Sequence, residues 1–363
     1  MHYETVAFRA ATGARLWASS YQLGNLYSYP VALAVSPDGA RVYVTTDFHI
    51  IGRGQGVVTF AYDARTGRQL WASRYRPKDS GAGVRGLAVS PDGTTLYVAG
   101  TLGQAHSLFF GVIAYAAATG KQRWLRYSTG MQGEAESVAV SPDGKTVYAT
   151  GTACSSALTV AYGAAGTLKW ATRYKDPDGF AGGFEIVAGP GGGAVYVAGK
   201  AANKNGHFDV ATFAYSAATG RRMWLDRDYS RNTFPPDIAV TPGGQTVIVT
   251  VPLNHGTSYA VTAYNASTGG TRWARPAPDT YVHPSGLLIN PSGDTMFIGG
   301  NRTTAYSVAD GTVRWTTSYN RNFPDFGVLS GIIGLSGDGT RLIAARQTKQ
   351  GITWSITIVA YRT

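Results

Sequence analysis

AYDARTGRQLW, residues 61 to 71, decides how this chain folds. It reads as an apolar strand ending in Tyr62, a tight turn through Thr66 and Gly67, and a second strand that opens on Trp71. The unit recurs around Gly13, Gly67, Gly120, Gly166, Gly220, Gly269 and Gly311. In each copy a tryptophan follows at the same offset: Trp17, Trp71, Trp124, Trp170, Trp224, Trp273 and Trp315. Successive tryptophans fall about 40 to 55 residues apart, the period of four-stranded propeller blades rather than of helical solenoid repeats.

A second piece recurs between these units, as in LAVSPDGTTLYVAG at 87 to 100: an apolar strand, a four-residue turn and another strand. The turn reads SPDG at 36, 90 and 141, GPGG at 189, TPGG at 241, NPSG at 290 and SGDG at 336. Proline presets φ and glycine accepts φ > 0, so these are hairpin turns. The flanking runs are rich in Val, Ile, Tyr and Thr, as strands are. Each unit then holds four antiparallel strands, A to D, with both kinds of tight turn on one face. The expected fold is an all-β, seven-bladed β-propeller, a single domain over residues 1–363. Its other face carries the D to A and B to C connections, which vary in length and composition, and variable loops on a rigid support are where function usually sits.

The A-x-x-x-x-T-G-x-x-x-W pattern of 61 to 71, repeated at 114 to 124 and 214 to 224, resembles the tryptophan-docking motif of the PQQ-like quinoprotein propellers. With its SPDG turns the chain is most similar to secreted bacterial propeller-repeat proteins of unassigned function. The resemblance implies that each Trp packs on a neighbouring blade's turn. It also implies export, to the cell envelope or outside the cell. Quinone-dependent dehydrogenases of that family are typically eight-bladed and place adjacent cysteines beside the cofactor. Here there are seven units and a lone Cys154, so no catalytic residue carries over and no quinone is expected.

A net charge of +11 invites a nucleic-acid reading, but the cations are spread out. Arg74, Arg126, Arg173, Arg227 and Arg275 follow the tryptophans, on outer strands where charge blocks sheet-to-sheet association. A monomer without nucleic-acid partners is expected. One cysteine excludes an internal disulfide and a Cys-rich metal site. No run has the length of a membrane span, and residues 1–9 show no signal-peptide apolar core. The chain opens on C and D strands (5–8, 15–19) and closes on A, B and C strands (331–335, 341–346, 355–361). The N-terminal D strand would complete the last blade and close the ring, leaving one C-type strand spare. Either the N-terminal copy is displaced or an upstream segment is missing.

Aligning A strands by their turns puts Ala32, Gly86, Ser137, Glu185, Asp237, Gly286 and Ile332 at one level of the channel mouth, with Arg85 and Glu136 one residue earlier. Glu136, Glu185 and Asp237 suit a Ca²⁺ cage or an acid and base pair, and equally suit a solvated rim neutralised in part by Arg85. His49, His106, His207, His255 and His283 fall in variable-face loops, the first four in B to C connections of different blades, too far apart for one metal. Tyr29 and Tyr281 are among the aromatics crowding those loops, a lining that suits recognition of a small molecule, a glycan or a protein. The sequence therefore reads as a non-catalytic binding scaffold with no required cofactor. The alternative is a metal-assisted hydrolase or lyase built on Glu136, Glu185 and Asp237.

Overall fold

The structure is a computed structural model that describes residues 2–8, 15–22, 27–50, 54–78, 80–104, 107–228, 235–253, 258–277, 286–299, 302–318, 332–335, 341–350 and 353–362. All regular structure in it is antiparallel β-sheet. The chain divides into two compact units. One comprises Met1–Phe8, Arg15–Val197 and Tyr215–Arg221; the other includes Ala198–Ala214 and Arg222–Thr363.

In the first unit β1 (His2–Phe8) pairs with β2 (Arg15–Gln22). A four-stranded sheet follows in chain order: β3 (Tyr27–Val35), β4 (Arg41–Ile50), β5 (Gly54–Asp63) and β6 (Gln69–Tyr75). Next comes a sheet of seven: β7 (Ala82–Val89), β8 (Thr95–Gln104), β9 (Ser107–Ala116), β10 (Gln122–Val140), β11 (Thr146–Ala153), β12 (Ser156–Gly163) and β13 (Leu168–Tyr174). Two repeats merge there, because β10 serves both. Leu125 pairs with Ile113 of β9, and further along Val138 pairs with Ala149 of β11. The expected break between a D strand and the next A strand is absent, since the segment between Tyr127 and Gln132 bulges out of the ladder without ending the strand.

The next sheet, β14 (Ala181–Ala188), β15 (Ala194–Ala202), β16 (Phe208–Ser216) and β17 (Arg222–Asp228), has its strands divided between the units. The second unit adds β18 (Ile238–Val240), β19 (Thr246–Leu253), β20 (Ser258–Asn265) and β21 (Thr271–Pro276), then β22 (Leu287–Ile289), β23 (Thr295–Ile298), β24 (Arg302–Ser307) and β25 (Val313–Ser318). The last sheet is β26 (Ile332–Leu335), β27 (Arg341–Gln350) and β28 (Thr353–Arg362).

The inner strands are buried on both faces, as in β12 and β16, because sheets cover them from either side. The outer strands are mostly exposed. In β6, β13, β17 and β21 the tryptophan is the one fully buried residue. Six of the indoles reach the turn of the following repeat and donate the Nε1–H to a carbonyl there. Trp17 bonds Ala64 at 2.8 Å, Trp71 bonds Ala117 at 3.0 Å and Trp124 bonds Ala164 at 2.8 Å. Trp170 bonds Ala217 at 2.9 Å, Trp224 bonds Ala266 at 2.9 Å and Trp273 bonds Val308 at 3.0 Å.

The glycine of the contacted turn lies flat under the ring. A Cβ on Gly120 would sit 2.6 Å from Trp71, and one on Gly166 would sit 2.9 Å from Trp124. Both glycines have φ near +70 to +81°, so the same residue type is required twice, for the turn and for the ring above it. A second bond repeats alongside: Ser73, Arg126 and Thr172, each two residues past the tryptophan, donate to the carbonyls of Gly120, Gly166 and Gly220.

The arginines after the tryptophans do more than guard an edge. Arg173 reaches Ser156 Oγ at 3.2 Å and Arg227 pairs with Asp209 at 3.0 Å, while Arg126, in the stretch of β10 that pairs only with β9, donates to the Gly166 carbonyl at 2.7 Å. Trp124→Phe keeps the ring but strands the Ala164 carbonyl, an expected cost of about 1–3 kcal/mol. Gly166→Ala costs about 1–2 kcal/mol for the left-handed backbone alone. Urea unfolding should show both as lower midpoints; unchanged midpoints would contradict the indole contact.

Candidate functional site

Within each unit, residues that the sequence places at one A-strand level meet. In the first unit Arg85 on β7 meets Glu136 on β10, Nε to Oε2 3.7 Å, and one residue later Ser137 Oγ donates to Glu185 Oε1 on β14 at 3.0 Å. A Cβ on Gly86 would touch the Ser137 backbone at 3.1 Å, so the successive A strands are in close contact at this level. In the second unit Asp237, just before β18, accepts the Gly286 N–H on Oδ2 at 3.1 Å. Gly86 with Ser137, Ser137 with Glu185, and Asp237 with Gly286 are thus in contact, each pair within one unit.

Asp47 on β4 completes the group around Arg85, and sequence reading missed it. Its Oδ2 lies 3.8 Å from Arg85 Nη1 and its Oδ1 accepts the Val84 N–H at 2.7 Å. The available signal was in the B strands. Aligned on Tyr43, Tyr97, Tyr148 and Tyr196, they place Asp47, Thr101, Thr152 and Lys200 at one level. Lys200 is buried there, and burial pulls its pKa down to about 8.

The Arg85 group is built loosely for a structural ion pair. Both carboxylates stand beyond hydrogen-bond length, and Arg85 Nη1 donates instead to the Val84 carbonyl at 3.2 Å. The Arg85 side chain is 50% exposed while that of Glu136 is 17% exposed. Such a pair adds at most about 1 kcal/mol to stability. Burial raises the pKa of Glu136, with Arg85 opposing and Glu134 reinforcing the shift. Burial likewise raises Asp47, against the Val84 N–H and Arg85. Desolvated carboxylates around one shared, half-exposed guanidinium can exchange that partner for another at modest cost.

Glu136 and Glu185 belong to the first unit and Asp237 to the second. Among the described residues no three His, Cys, Asp or Glu side chains gather as a metal-binding group. His49 lies exposed near the end of β4, opposite Gln55. His207 closes the turn after β15, its N–H donating to Asn203 Oδ1 at 3.1 Å. Tyr29 is opposite Asp47 in the β3–β4 ladder, with only its backbone described. His106, His255, Tyr281 and His283 lie outside the described residues.

Repeated four-stranded antiparallel units, keyed to each other by a tryptophan and carrying a polar row on their first strands, define a β-propeller repeat protein. The outer membrane protein assembly factor BamB family model matches residues 3–179 and 207–353, and the chain belongs to that family. No curated protein matches the chain. Among solved structures it is similar to hydrazine synthase of Kuenenia stuttgartiensis, at 16% identity and TM-score 0.59, covering 92% of this chain and 95% of that one. It is similar to BamB from Moraxella catarrhalis at 14% identity and TM-score 0.53, covering 92% and 85%. It is also similar to the C-terminal WD40 domain of Sif2, at 10% identity and TM-score 0.61, covering 96% and 86%. At these identities the shared property is the fold. No helix is long and apolar enough to cross a membrane among the described residues.

Asp237, in the second unit, carries a pH signature of its own. Burial pushes its pKa up to about 6, only partly offset by the Gly286 N–H. The folded state therefore holds a proton that the unfolded chain releases near pH 4. Its contribution to stability is full below about pH 4 and is lost as pH rises through about 6. Asp237→Asn should flatten stability between pH 4 and 7 and exceed wild type most at neutral pH. Parallel, unshifted curves for the two proteins in urea unfolding at each pH would contradict the assignment.

Proposed function

We propose that this protein is a non-catalytic scaffold of the cell envelope, a seven-bladed ring closed by its N-terminal strand, that holds a protein partner on its loop-bearing face. The observation that carries the reading is the Asp47–Arg85–Glu136 row. Strands β4, β7 and β10 hold a half-exposed guanidinium whose nearest carboxylates do not hydrogen-bond to it, leaving planar donors for an incoming carboxylate or backbone carbonyl. Rigid sheets fix those donors, so a partner meets them without an ordering cost at the site. Membership of a family described as an outer membrane assembly factor supports a protein partner over a glycan, and supports an envelope location.

Arg85→Glu with Glu185→Ala is the direct test. The whole protein, immobilised and cross-linked to envelope extract of the producing organism, should capture a defined set of proteins that the double variant loses by about tenfold or more, as removal of a central Arg anchor does. An identical set from both proteins, or binding confined to a glycan array, would overturn the proposal.

A further inference from the structure

Cations that are spread out along the sequence are gathered by the fold at one end of the first unit. Arg65 and Arg68 lie between β5 and β6, Lys121 and Arg123 at the start of β10, Lys145 just before β11 and Lys169 on β13, each in or beside a tight turn. All are exposed, and none forms an ion pair among the described residues. Successive turns are neighbours in space: a Cβ on Gly93 would sit 3.5 Å from Pro37, and one on Gly144 would sit 3.6 Å from Pro91. The carboxylates of these turns, Asp38, Asp63, Asp92 and Asp143, are fewer, and each is engaged by a hydroxyl and an N–H of its own turn. At the loop end of the same unit Asp47, Glu134, Glu136, Asp176, Asp178 and Glu185 offset the cations present there. The excess positive charge of the unit therefore lies at its turn end.

Apolar side chains stand among these cations. Leu16, Val35 and Leu168 are 49%, 51% and 48% exposed. Leu16 and Leu168 lie at the turn ends of β2 and β13, and Val35 is the last residue of β3 before its turn. One exposed leucine carries no information, but apolar groups set among cations have the composition of a surface that enters a lipid interface. A cleft of about 600 Å³ opens between the first two of these turns, walled by Pro37 and Pro91 and flanked by Arg41 and Arg123. Nucleic acid would use the cations alone, whereas the apolar side chains gain from burial only where hydrocarbon is within reach.

We propose that the turn end of the first unit rests on an anionic lipid surface. Its lysines and arginines face the headgroup phosphates, and Leu16, Val35 and Leu168 meet the boundary with the acyl chains. The cleft offers one headgroup phosphate the planar donors of Arg41 and Arg123. Lipid and the protein partner proposed above then occupy opposite ends of the strands, so neither contact depends on the other.

Co-sedimentation of the whole protein with lipid vesicles is the test. Wild type should pellet with vesicles of equal parts phosphatidylcholine and phosphatidylglycerol, stay in solution with phosphatidylcholine alone, and be released as salt rises. Arg65→Ala/Arg68→Ala/Lys121→Ala should weaken vesicle binding by about tenfold or more. Arg76→Ala/Lys78→Ala/Lys175→Ala removes the same charge from the loop end and should bind as wild type. Leu16→Ser/Leu168→Ser should bind vesicles less tightly and duplex DNA as wild type does. Arg85→Glu with Glu185→Ala should pellet like wild type, which separates this contact from the partner site. No pelleting with anionic vesicles, equal losses in the two charge-matched variants, or a leucine variant that matches wild type on vesicles would each overturn the proposal. Wild type that prefers duplex DNA to vesicles of equal phosphate content, or that inorganic phosphate releases more readily than chloride does at equal ionic strength, would overturn it too. These last two readings need no variant, so they decide the matter even if a substitution prevents folding.

Discussion

The hydrogen bond from a tryptophan indole to a carbonyl in the next repeat's turn is the constraint on which the rest of this structure depends. It joins sheets whose own ladders are already satisfied, so it supplies order between repeats rather than within them. A ring of this size also covers the turn glycine, and burying an aromatic against backbone that no side chain could share gives each junction one register. Because the joint lies at the tight-turn end of each sheet, the connections at the opposite end are free to vary in length. Scaffold and site are separated along the strand.

That separation explains which parts of the protein were legible in its sequence. Turns and tryptophans must meet at fixed offsets, so Gly67 to Trp71 and its counterparts announce the repeat. The A strands are anchored by the same turns, and counting from them correctly joined Arg85 to Glu136, Ser137 to Glu185 and Asp237 to Gly286. Counting failed where side chains cross between strands. Asp47 sits on a B strand with no carboxylate at the matching positions of other repeats, so no repeated pattern marks it. Arg227 read as an edge charge, but its length lets it reach Asp209 on the neighbouring strand β16. The run-on of β10 was hidden for a different reason. Gly130 and Gly133 suggest a break, and only the pairing partners on either side keep the strand extended.

Charge is distributed with the same division of labour. Aspartates in the tight turns, such as Asp92 and Asp294, are held low by hydroxyls and N–H groups of their own turn, which makes them turn builders. Carboxylates at the other end of the strands, Asp47, Glu136, Asp228 and Asp237, are all pushed up by burial. A basic protein has thus buried part of its negative charge where its loops emerge, with few cations to match. Groups kept under that tension are the ones a partner or an ion can relieve.

The account stands most directly on the indole contacts, and hydrogen exchange of the tryptophan side chains examines them one by one. In a ¹⁵N-tryptophan-labelled protein, the Nε1–H groups of Trp17, Trp71, Trp124, Trp170, Trp224 and Trp273 should exchange only through global unfolding, with rates that track denaturant stability. Exchange of these six at the rate of exposed indoles, in a protein whose strand amides remain protected, would contradict the view that they hold the repeats together.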